Sequence, residues 1–94
     1  MIEEQTRSQV YKILKYLYGK GYRYVVRDKE MPYLTCFSVK PKRYRDLEIW
    51  GYVNPRDENA LMAYPIKNTD ITEVRWNNRS ATPILQTIEE DKQL

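Results

Sequence analysis

KGYRYVVRDKEMPYLTCFSV, residues 20–39, reads as a β-hairpin. Its first half, Tyr22 to Arg27, is rich in β-branched and aromatic residues. Alternation puts Tyr22, Tyr24 and Val26 on one face and Arg23, Val25 and Arg27 on the other. Asp28 to Pro32 is polar and ends in proline, which suits a connection, and Tyr33 to Val39 alternates again and should return antiparallel. The expected strands are 22–28 and 33–39.

Upstream, Val10, Ile13, Leu14 and Leu17 fall at i, i+3, i+4 and i+7 and make one apolar helical stripe. Thr6 followed by Gln9 has capping-box form, and Gly19 and Gly21 supply a stop, so a helix is expected over about 4–18. Downstream, 47–53 reads as a strand with Leu47, Ile49 and Val53 on one face and Trp50 and Tyr52 on the other. Asn54 to Asn59 is a loop, and 61–67 is a strand that Pro65 demotes to a sheet edge. A second hairpin is expected from 71–76 and 82–88 around Asn77-Asn78, with a frayed acidic tail at 89–94. These elements predict a single α+β domain over 1–94: one N-terminal amphipathic helix packed on a small antiparallel sheet of four to five strands.

The charge is unevenly distributed. Residues 7–45 hold eleven basic and two acidic side chains, a net of +9, whereas 46–94 hold five basic and nine acidic, a net of −4. Seven of the nine tyrosines lie in the basic segment. A basic, tyrosine-rich half points to a surface that meets an anionic partner.

Catalytic chemistry lacks its usual reagents here. The chain has no histidine, which removes Ser-His and Cys-His nucleophile pairs and zinc sites of Cys/His type. Cys36 is a lone cysteine in mid-strand and reads as a buried, inert thiol. Asp57-Glu58-Asn59 lacks the glycine and spacing of a calcium loop, and Asp28 and Glu30 read as turn residues. Gly19 and Gly21 follow a helix, where they act as a stop, not as a phosphate-cradling loop. The expectation is a non-enzymatic protein with no metal and no cofactor. No stretch approaches the ~20 apolar residues of a membrane span, and the first residues, acidic and polar, are the reverse of a secretory signal. With one thiol, these features predict a cytoplasmic setting and no membrane partner.

The residues expected to bind the partner are Arg23, Arg27, Tyr33, Lys42, Arg43, Tyr44 and Arg45, since arginine and tyrosine give large rigid contacts with a polar end. They serve an acidic protein surface or a phosphate backbone alike. The first reading is therefore a protein partner. The alternative is a nucleic-acid-binding module using residues 7–45. Trp50 and Trp76 are expected to pack in the core or on a sheet face.

The order KGYRYVVRDKE at 20–30, FSVKPKRY at 37–44, EIW at 48–50 and EVRW at 73–76 resembles small phage and prophage proteins of Gram-positive bacteria. The resemblance covers residues 13–76. It implies an accessory protein that occupies a surface of a host or phage protein, including inhibitors of host machinery or defence, and it supplies no active site.

Overall fold

The computed structural model describes residues 3–91 and is an α+β domain. Helix α1 spans Arg7–Gly19. Thr6 is its N-cap, with extended backbone, and the capping box is complete: Gln9 N–H donates to Thr6 Oγ1 at 3.2 Å while Thr6 N–H donates to Gln9 Oε1 at 2.8 Å. The helix begins at 7 and not 4 because the preceding residues bond elsewhere. Gln5 N–H donates to the Lys67 carbonyl, and the Glu4 carboxylate accepts from the N–H and hydroxyl of Thr69. At the other end Lys20 N–H donates to the Leu17 carbonyl and Gly21 N–H to that of Tyr18, and Gly21 takes a φ of +108°, which favours glycine.

Strands β1 (Tyr24–Arg27) and β2 (Tyr33–Phe37) form the expected antiparallel hairpin, with Tyr24 opposite Phe37 and Arg27 opposite Leu34. The later elements are β3 (Lys42–Tyr44), β4 (Ile49–Gly51), β5 (Tyr64–Lys67), β6 (Thr82–Pro83) and α2 (Ile84–Asp91). One sheet has the order β5-β2-β1-β6, and β3 and β4 make a separate two-stranded ribbon. As expected, β5 is an edge: Pro65 has no N–H to offer a further strand, and the Lys67 carbonyl is taken by Gln5.

The four-stranded sheet is covered on both faces. On one, Val25, Leu34, Cys36 and Ile66 pack with Val10, Leu14 and Leu17 of α1 and Ile84 and Ile88 of α2. On the other, Val26 and Phe37 pack with Trp50, Ala81, Tyr52 and Trp76. The stripe read from the sequence is buried as expected, with Ile13 partly so. Leu14, 1% exposed, fills the helix-side core. Leu14→Ala is expected to lower stability by about 2–4 kcal/mol, read as a shift of the urea midpoint; an unchanged midpoint contradicts this packing.

Four expectations need correction. Residues 71–76 form no strand. Ile71 and Val74 are buried three apart, not two, and the carbonyls of Asn68, Ile71 and Val74 accept from the Arg27 guanidinium in place of a neighbouring strand. Residues 82–88 extend for only two residues before turning helical, because Ile84, Thr87 and Ile88 repeat at i, i+3 and i+4 and bury one helical face. The expected second hairpin is therefore absent, and 89–91 end α2 while 92–94 lie outside the described residues. Residues 47–53 do not join the main sheet; their central part, β4, pairs with Lys42–Tyr44, a segment read from sequence as a basic loop. Four-residue β1, five-residue β2 and four-residue β5 are shorter than the expected 22–28, 33–39 and 61–67.

Candidate functional site

The ribbon begins as Pro41 is passed and turns at residues 45–48. Glu48 N–H donates to the Arg45 carbonyl at 3.3 Å, and Glu48 adopts a left-handed φ of 59°. Tyr44 lies opposite Ile49, Arg43 opposite Trp50 and Lys42 opposite Gly51. Side chains alternate across such a ribbon, so it has one face toward the sheet and one away from it.

Trp50 anchors the inner face. It is 5% exposed, its backbone N–H donates to Asp28 Oδ1 at 2.9 Å, and its indole N–H donates to the Arg27 carbonyl at 3.1 Å. Its ring meets Trp76 edge-on at 6.3 Å. Partial burial raises the Asp28 carboxyl above the ordinary aspartate range, and the Trp50 N–H partly offsets that. Tyr52 extends the anchor: its ring meets Phe37 edge-on at 5.0 Å, and its hydroxyl donates to the Leu61 carbonyl at 2.7 Å and accepts from Ser38 N–H at 3.0 Å.

The outer face is different in kind. Ile49, on that face, is 41% exposed, Leu47 in the turn 62%, and Val53, just past β4, 68%. The Tyr44 ring lies beside Gly51, where its edge is 3.5 Å from the place a Cβ would occupy, and its hydroxyl donates to the Tyr52 carbonyl at 3.2 Å. Lys40, Lys42 and Arg45 are exposed, Lys42 on the same face as Ile49, its ammonium standing 5.7 Å from the Tyr44 ring centroid. Glu48, also in the turn, is paired with Lys29 at 3.4 Å.

The structure divides the seven residues singled out in the sequence. Lys42, Arg43, Tyr44 and Arg45 come together on the ribbon. Arg23 and Arg27 share the β1 face of Val25, which the helices cover, so the sheet separates them from the ribbon. Arg23 is exposed but stacks on Tyr18 at 4.2 Å and donates to the carbonyls of Tyr18 and Tyr22. Arg27 is turned inward. Its guanidinium donates to Asn68 (2.7 Å), Ile71 (2.9 Å), Val74 (3.1 Å) and Met31 (3.3 Å) carbonyls, and burial lowers its pKa. Arg43 also faces in, 5.4 Å from the Trp76 ring centroid and donating to the Trp76 carbonyl at 2.9 Å. Tyr33 is half-buried in β2, opposite Lys67.

Leu47, Ile49 and Val53 were not among the expected binding residues. Their alternation with Trp50 and Tyr52 was visible, and the signal that could have found them is size: the two large rings take the core side and push the smaller aliphatics outward.

Cys36 is fully buried and its thiol is pushed up to about 12, the form that does not attack electrophiles. Among the described residues no three Cys, Asp or Glu side chains gather as a metal site, and no helix is long and apolar enough to cross a membrane. An open hollow of about 290 Å³ beside β6 is lined by residues 78–83 and Gln86, which bring amide, hydroxyl and guanidinium groups but no carboxylate.

Away from the ribbon, Arg7 holds Glu73 through two contacts, 2.5 and 3.1 Å, which keeps the Glu73 carboxyl below the ordinary glutamate range and raises the Arg7 guanidinium. A carboxylate with a depressed folded pKa adds stability above its unfolded value, near 4.5, and loses it as pH falls through the folded one. Both side chains are 38% exposed, so solvent screening holds the contribution below about 1 kcal/mol. Glu73→Gln should therefore be slightly less stable than the natural chain at pH 7, the difference in urea midpoint vanishing at the acid end. A difference that stays constant across that range contradicts the pairing.

No protein-family model matches the chain, and neither a curated protein nor a solved structure matches it.

Proposed function

We propose that this is a non-enzymatic accessory protein of phage type that acts in the cytoplasm by binding a host or phage protein, and that the outer face of the β3–β4 ribbon is its docking surface. One observation carries this reading: Ile49 on the ribbon, Leu47 in its turn and Val53 just past β4 are exposed, while Trp50 and Tyr52 pin the opposite side. Exposed aliphatics presented rigidly gain from burial against a protein, and ordering them in a complex costs little because their backbone is already held.

Nucleic-acid binding is the second reading. Arg27 and Arg43, which it needs for phosphates, are engaged by internal carbonyls. Of the two rings it needs for stacking, Tyr44 lies beside Gly51 and Tyr33 is half-buried in β2. On the ribbon itself Lys40, Lys42 and Arg45 are a small electrostatic footprint, and the outward aliphatics add nothing to it.

The test is capture from a Gram-positive bacterial extract with nuclease treatment. A protein retained after nuclease should be lost with Ile49→Asp, a change expected to weaken binding on the order of thirtyfold, about 2 kcal/mol at a central contact. Tyr16→Ala, on an exposed part of α1, serves as control. Equal retention by Ile49→Asp overturns the ribbon assignment, and retention abolished by nuclease supports the second reading.

A further inference from the structure

We infer that the segment docking on the ribbon carries carboxylates around apolar anchors: an acidic–apolar stretch of a protein. The inference rests on the ribbon being the docking surface. It follows from which charges remain outward at the ribbon. Arg43 is drawn in against Trp76, so it belongs to the scaffold. Glu48 has its carboxylate opposite Lys29, which neutralises the turn's second acid. What stays exposed is Lys40, Lys42 and Arg45 against Asp46. Ile49 therefore shares the ribbon's outer face with Lys42, and Arg45 is exposed in the turn beside Leu47, so a partner that buries Ile49 meets a surface with more positive than negative charge. A basic rim on the partner meets like charge there and is repelled, whereas an acidic rim is attracted and steered in. The footprint also sets the size of the segment. Each strand of the ribbon has three residues, a length of about 10 Å, so a short stretch of chain covers it.

The experiment uses the full chain, isotope-labelled, and follows backbone amide resonances during titration with three probes. The first is a short synthetic peptide alternating Asp or Glu with Leu or Phe; the second is the same peptide with lysine replacing each acid; the third is oligodeoxythymidine. The acidic peptide should shift resonances of residues 42–53 saturably, and the lysine peptide should bind there at least about tenfold more weakly. The double variant Lys42→Glu with Arg45→Glu, both exposed and so compatible with folding, should reverse that preference. Equal binding of both peptides at the ribbon overturns the charge preference and leaves the docking surface standing. An acidic peptide that shifts no ribbon resonance overturns the inference, and loss of the docking surface itself is read separately from Ile49→Asp capture. Oligodeoxythymidine saturating 42–53 more tightly than the acidic peptide overturns it in favour of nucleic acid.

Discussion

Arg27→Met is expected to lower the stability of the fold by about 3–5 kcal/mol, a large part of what a small domain has. Methionine keeps much of the side-chain volume and removes every donor. The carbonyls of Asn68, Ile71 and Val74 then lose a charged partner at 2.7 to 3.1 Å, within a segment that no β-ladder supports. Hydrogen bonds to a charged group contribute about 1.5–3 kcal/mol each, and a carbonyl left dry adds its own desolvation cost. Ile71 and Val74, both nearly inaccessible, are held in the core by those same carbonyls. The urea midpoint measures the effect. Arg45→Met, at an exposed position on the ribbon turn, should fall within about 0.5 kcal/mol of the natural chain. Comparable losses in the two variants, or no loss in Arg27→Met, contradict the separation of scaffold arginines from surface ones.

Trp50→Ala is expected to cost about 3–5 kcal/mol, the range for emptying a buried aromatic site. The loss has two parts. Removing the ring opens a cavity among Val26, Phe37, Ala81 and Trp76, and removing the indole N–H leaves the Arg27 carbonyl without its donor. The backbone N–H bond to Asp28 survives, so the ribbon should loosen instead of reorganising. Amide exchange in residues 42–51 should rise well above that of α1, whose packing with β1 and β2 lies on the opposite side of the sheet. Uniform acceleration through α1 and the ribbon contradicts this two-sided construction.

The helix and first hairpin were legible because their signals are local. The stripe from Val10 to Leu17, the Thr6–Gln9 box and the alternation through Tyr24–Phe37 each occur within a few residues of the bonds they make. What was not legible depended on partners far along the chain. Nothing near Ile71 and Val74 says that Arg27, more than forty positions earlier, supplies the donors that a strand neighbour otherwise gives. Residues 84–88 alternate weakly and also fit a helix, and Pro83 at the junction favours the helical reading, since proline is tolerated at helix starts. For the site, the ribbon cluster Lys42 to Arg45 was found, but composition could not tell that Arg43 faces Trp76 while its neighbours face solvent. Nor could alternation alone say which side of 47–53 is inward. The basic excess of residues 7–45 is thus partly scaffold: Arg7, Arg27 and Arg43 each hold another part of the chain.

The most direct test of the ribbon as docking surface is hydrogen exchange on the complex with the captured protein, residue by residue, against the chain alone. Docking on the ribbon should slow exchange in residues 42–53 and leave that of α1 unchanged. Protection confined to α1 or to the β5 edge, with the ribbon unchanged, contradicts it.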